Sequence, residues 1–105
     1  MPDVDAAVLG TVHTAPMPKP VTLASATTIA PTTFCTFLTG TTAVVNITPF
    51  VSGAHLLMIV FTNAAPGGFT AAGNVQRAYT ALQNVPVLLY YDPLSNKYWV
   101  LGYAS

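Results

Sequence analysis

Hydrophobic and polar positions along the chain follow two regimes, with the change near residue 26. Over residues 1–26, apolar side chains are scattered among small residues and the prolines Pro2, Pro16, Pro18 and Pro20. Proline lacks a backbone donor and fixes φ, which blocks helices and central strands alike. The stretch Thr14-Ala-Pro-Met-Pro-Lys-Pro20 is therefore predicted to be extended, close to polyproline II. Ala6-Ala-Val-Leu9 is a short apolar piece able to dock on a neighbour. Residues 1–26 are expected to form an extended N-terminal arm, the plainer alternative being a frayed terminus, and residues 27–105 the body.

From Ala24 onward the punctuation is regular. Short runs of β-branched and aromatic residues alternate with Pro, Gly and Asn, the pattern of strands and turns. Strands are predicted at Thr27–Ala30, Thr33–Thr39, Ala43–Thr48, His55–Thr62, Val75–Ala81, Val85–Asp92 and Lys97–Tyr103. The segment Leu56-Leu-Met-Ile-Val-Phe61 is apolar at every position, so both faces of that strand are expected to be covered. Thr70 to Gln83 is rich enough in Ala to compete as a helix, but Gly73, Asn74 and the missing 3.6-residue stripe argue for strand. The chain's end gives a terminal hairpin around Asp92-Pro-Leu-Ser-Asn-Lys97. Asp then Pro suits a type I turn, Asn96 suits a left-handed residue, and Tyr90, Tyr91, Tyr98 and Trp99 are placed to pair across the strands. The fold class is all-β: short strands in a compact β-sandwich, a β-prism or a short β-helix. No internal repeat of solenoid or propeller period occurs.

Composition changes the picture in one respect. The chain has 105 residues, 52% hydrophobic and only 6% charged, with no net charge. The ordinary charged share is about 25%. A monomer of this mass exposes roughly 5,600 Å², or about one charge per 900 Å² of surface, sparser than soluble monomers carry. The surface is expected to be hidden in an assembly. Abundant threonine supplies polarity without charge.

The same numbers exclude several classes. Disordered chains are poor in apolar residues and rich in charge, the reverse of this one. Lys19, Arg77 and Lys97 cannot form the basic face that nucleic acid requires. The apolar run Leu56–Phe61 is too short to span a bilayer as a helix, and Met1-Pro2-Asp3-Val4-Asp5 lacks the basic start of a secretion signal. A lone Cys35 cannot form an internal disulfide.

Catalytic chemistry is sought without success. The chain has no Glu, and its three Asp lie at positions 3, 5 and 92, so no carboxylate pair spans a cleft. His13 and His55 have no Cys or carboxylate at metal-ligand spacing. Three copies of His55 on a trimer axis could hold a metal, while the plainer reading is a histidine satisfied by a hydrogen bond at a strand start. Cys35, between Phe34 and Phe37, reads as an inert buried thiol rather than a nucleophile. No phosphate-cradling glycine pattern occurs. Asn46-Ile47-Thr48 matches the glycosylation acceptor pattern by chance. The chain is not expected to be an enzyme or to carry a cofactor. Its aromatic residues either fill core and subunit seams or form a sugar-stacking platform, for which Tyr98 and Trp99 are the candidates.

Several of these segments together carry a resemblance. They are Ala26-Thr-Thr-Ile-Ala-Pro31; Leu38-Thr-Gly-Thr-Thr-Ala-Val-Val-Asn-Ile-Thr-Pro49; Gly53 leading into Leu56–Phe61; Gly73-Asn74-Val75; Leu88-Leu-Tyr-Tyr-Asp92; and Lys97-Tyr-Trp99. Their order resembles a small β module of tailed-bacteriophage virion proteins, found in tail fibres, tailspikes and head-decoration proteins. The likeness covers residues 24–105, with the Gly-Thr-Thr-Ala segment and the closing hairpin most specific. The family pattern usually recurs within long fibre chains, whereas this sequence holds one copy, and the Asn63–Phe69 loop does not align.

The resemblance implies a homotrimer of β-structured subunits located in the virion. A capsid decoration or cement protein is expected, bound to the major capsid protein on the outer surface of the head. The alternative is a tail- or head-fibre module that recognises host-surface glycans. In the first case Leu57, Ile59 and Phe61 are expected at the subunit interface, with Leu57→Asp or Ile59→Asp dissociating the oligomer. Val4, Val8, Leu9, Pro16, Pro18 and Pro20 of the arm are expected to contact the shell. In the second, Tyr98 and Trp99 face the ligand.

Overall fold

The computed structural model describes residues 19–103, and the side chains of residues 19–101. The described chain is all strand and turn, with no helix. Seven strands form in order: β1 (Val21–Ala24), β2 (Thr28–Ile29), β3 (Cys35–Thr39), β4 (Asn46–Ile47), β5 (His55–Phe61), β6 (Pro86–Asp92) and β7 (Lys97–Tyr103). They make two layers. The larger is a mixed five-stranded sheet in the order β1-β3-β5-β6-β7, and the smaller is the pair β2-β4.

The path follows from the punctuation. β1, β3 and β5 run parallel, with Cys35 beside Met58 and Val21 beside Thr36. Parallel neighbours need a crossover, and here each crossover passes through the second layer, first as β2 and then as β4. These two crossover strands are themselves parallel, Ile29 beside Ile47. Residues 21–61 therefore wind through both sheets twice. The direction then reverses: β6 pairs antiparallel with β5 and with β7. Pro86 stands at the first position of β6, where its missing N–H is tolerated.

The hairpin matches its sequence. Tyr90 pairs with Trp99 and Tyr91 with Tyr98. Asn96 has φ of 58° and donates its N–H to the Asp92 carbonyl at 2.8 Å. The Asp92 carboxylate accepts from the Leu94 N–H and the Ser95 hydroxyl, each at 3.0 Å.

Alternation sets one core. Leu38, Leu57, Ile59, Phe61, Val87 and Leu89 point inward from the large sheet and share one core with Ile29 and Ile47 of the second layer and with Val44, Phe69 and Val75 of the connecting segments. The opposite face of the sheet carries the residues between them, and none of those belongs to this core.

Three stretches differ most from expectation, one of them Ala43–Thr48, of which only Asn46–Ile47 is strand. β1 lies inside the segment assigned to the arm, yet it is an edge strand of the large sheet, so the body begins by Val21. The sequence hides this because Val21-Thr-Leu-Ala24 directly follows the proline run. The predicted strand Val75–Ala81 is reduced to two single bridges, Val75 to Tyr98 and Tyr79 to Phe69. Its hydrogen bonds go to different partners on the two sides, so the chain must turn between them.

Candidate functional site

His55 opens β5 and is the polar centre of an aromatic cluster. Its Nδ1 lies 2.8 Å from the Gly53 carbonyl and its Nε2 lies 2.7 Å from the Tyr98 hydroxyl. A carbonyl only accepts, so in the neutral ring Nδ1 carries the proton and Nε2 accepts from Tyr98. The ring stacks on Tyr91 at 5.2 Å and meets Phe50 edge-on at 4.7 Å. Cross-strand pairing makes this cluster: His55 is opposite Tyr91 on β6, which is opposite Tyr98 on β7. The histidine is thus held at a strand start by hydrogen bonds, the plainer of the two readings of its sequence.

Tyr98 is fully buried. Burial, and secondarily Tyr91 beside it, raises its pKa well above the ordinary tyrosine value. Burial likewise raises that of the Cys35 thiol, as suits an inert cysteine.

An open groove of about 450 Å³ lies beside this cluster, lined by Pro49, Phe50, Val51, Ser52 and Tyr91. Ser52 and Tyr91 bring the hydroxyls to an otherwise apolar lining, with no carboxylate, imidazole or amine among the lining residues. Among the described residues, no three His, Cys, Asp or Glu side chains come together where a metal could sit. No helix of these residues is long and apolar enough to cross a membrane.

The other candidate surface is the outward face of the large sheet. Leu56, Met58 and Val60 of β5 stand beside Tyr90, Leu88 and Pro86 of β6, and Trp99 pairs with Tyr90 from β7. Leu56, Trp99 and Leu101 are exposed, at 44%, 38% and 54%. Phe37, on β3, sits beside Val60 on this face. The face's charged residues, Asp92 and Lys97, stand opposite each other across the hairpin at one end.

Against this geometry the sequence-predicted residues sort as follows. Leu57, Ile59 and Phe61 are 0%, 0% and 1% exposed and fill the core of the single chain. The outward residues of β5 are instead Leu56, Met58 and Val60. An Asp at 57 or 59 would place a charge in the core and unfold the subunit rather than dissociate it. Tyr98 is also inward, so of the two ligand-facing candidates Trp99 alone reaches the surface. Pro20 is exposed just before β1. Val4, Val8, Leu9, Pro16 and Pro18 lie outside the described residues.

The uniform apolarity of Leu56–Phe61 gives no clue to which side is which. The signal lay in the hairpin: charged Asp92 and Lys97 must face out, and counting by twos from them reaches Tyr90 and Leu88, then Trp99 and Leu101. Asn74, which ties the second layer to β7, stood in the sequence as a helix breaker and in the Gly73-Asn74-Val75 motif, with no sign of this contact. No protein family matches the chain, and no curated protein and no solved structure matches it.

Proposed function

We propose that the chain is a structural protein of a tailed-phage virion, a trimeric capsid decoration protein that binds the major capsid protein and stabilises the head shell from outside. The observation that carries this reading is the outward sheet face, apolar from Phe37 across to Trp99, in a chain with three basic and three acidic residues. Such a surface belongs in an assembly rather than in water. The motif order across residues 24–105 supports the phage assignment. The two turns through both sheets support a short β-helix among the architectures considered.

In this role residues ahead of β1 lie along the shell as an arm, and the β body projects outward. No cofactor, nucleic acid or membrane is part of the reading. One observation favours the alternative fibre role: Trp99, exposed beside Tyr90, forms an aromatic ledge of the kind that stacks on sugar rings.

Quantitative mass spectrometry of purified virions tests the choice. Hundreds of copies per particle are the expected result. A few copies in multiples of three place the protein in a fibre and make glycan recognition the better reading, and its absence from particles ends both.

A further inference from the structure

We infer that the outward face of the five-stranded sheet is a self-association surface, covered in solution by the same face of other copies of this chain. The inference deepens the assembly reading above by naming the seam. Its centre is Met58, Val60, Leu88 and Tyr90, with Leu56 and Trp99 toward one end.

Charge and area argue for a second copy. The face's two charged residues, Asp92 and Lys97, are of opposite sign and lie at one end, so two such faces bring no like charges together at their centres. β5, β6 and β7 have seven residues each, β3 five and β1 four, so at about 3.4 Å per residue and about 4.8 Å per strand the sheet covers about 490 Å² in projection. That is of the order of the roughly 800 Å² per partner in a standard stable interface. Packed sheets lie about 10 Å apart with interleaved side chains, the spacing this row of medium and large apolar residues fits.

The chain's own residues 1–18 are a poorer cover. Their longest apolar run, Ala6–Leu9, is four residues and spans about 14 Å when extended, well short of β5, β6 or β7. Asp3 and Asp5 would be carried onto an uncharged surface.

Light scattering on the full-length protein at micromolar concentration, with circular dichroism on the same samples, tests this. Wild type is expected at a multiple of 11.0 kDa. Met58→Asp and Leu88→Lys are expected at monomer mass with wild-type spectra. Leu94→Asp, at a turn position 92% exposed and off the face, is expected to keep the wild-type mass. If one face variant fails to fold, the other carries the comparison, and Trp99→Lys at the rim adds a third. A monomeric wild type overturns the inference, whether its face is bare or covered by residues 1–18. So does an oligomer that every folded face variant leaves intact. A dimer in place of a trimer upholds the seam and contradicts the three-fold reading, so the two fail separately.

Discussion

The side-chain amide of Asn74 binds both backbone groups of Ile47. Its Oδ1 accepts the Ile47 N–H at 2.8 Å, and its Nδ2 donates to the Ile47 carbonyl at 2.7 Å. One side chain thus does for the short strand β4 what a neighbouring strand would. Its backbone carbonyl meanwhile accepts the Tyr98 N–H at 2.7 Å, so the residue ties the second layer to β7. The neighbouring Gly73 is required by the same approach, because a Cβ there would overlap the Val45 carbonyl and the Asn46 side chain. Asn74→Ala leaves the N–H and carbonyl of Ile47 without these partners. At about 1–3 kcal/mol per unsatisfied group, discounted for partial exposure, a loss of about 2 kcal/mol is expected in urea unfolding. Asn74→Asp keeps the acceptor and loses the donor, and is expected to recover less than half of that.

The bond between Tyr98 and His55 predicts a response to alkaline pH. The folded pKa of Tyr98 is raised above its ordinary value near 10. Above pH 10 the unfolded chain therefore loses this proton while the folded chain keeps it. Fewer protons bound in the unfolded state mean that stability falls as pH rises, by at most about 1.4 kcal/mol per pH unit for one group. The contribution is intact below pH 10. Tyr98→Phe is expected to cost about 1–2 kcal/mol at pH 8, where the hydroxyl bond is lost, and to show a shallower decline from pH 10 to 11. Urea midpoints at the two pH values check both. The Cys35 thiol, also raised by burial, adds a decline of the same sign to both proteins and cancels in the comparison.

Thr36 is fully buried on the inward face of β3, and its hydroxyl has no hydrogen-bond partner. It stands between Val21 of β1 and Ile59 of β5. A desolvated hydroxyl without a partner costs about 1–3 kcal/mol relative to an apolar group of the same shape. Thr36→Val is therefore expected to raise stability by about 1 kcal/mol, read as a higher urea midpoint at unchanged slope. A lower midpoint would show that the hydroxyl is bonded.

Much of this fold was legible because β-branched and aromatic runs stand between Pro, Gly and Asn. β6 and β7 fell within a residue of their predicted bounds, and the hairpin turn followed from Asp92, Pro93 and Asn96. β1 was missed because four residues beside a proline run carry little signal of their own. It is a strand because Val21 and Leu23 lie inward beside Thr36 and Leu38 of β3. The outward side of β5 was not legible, for a different reason. Leu56–Phe61 has no polar position to mark a face, so its parity is set by pairing with β6 and, through β6, by charges at the far end of the hairpin. The amide clamp of Asn74 joins positions 27 residues apart and leaves no local trace.

Trp99 reports whether copies of this chain cover one another's outward sheet face. It is the chain's one tryptophan, and in the isolated subunit it is 38% exposed. Acrylamide quenching of its fluorescence reads the cover on this face without altering the protein. The account predicts a shielded, blue-shifted Trp99 at micromolar concentration that becomes red-shifted and readily quenched in Met58→Asp. A Trp99 equally open to quencher in both proteins would contradict it.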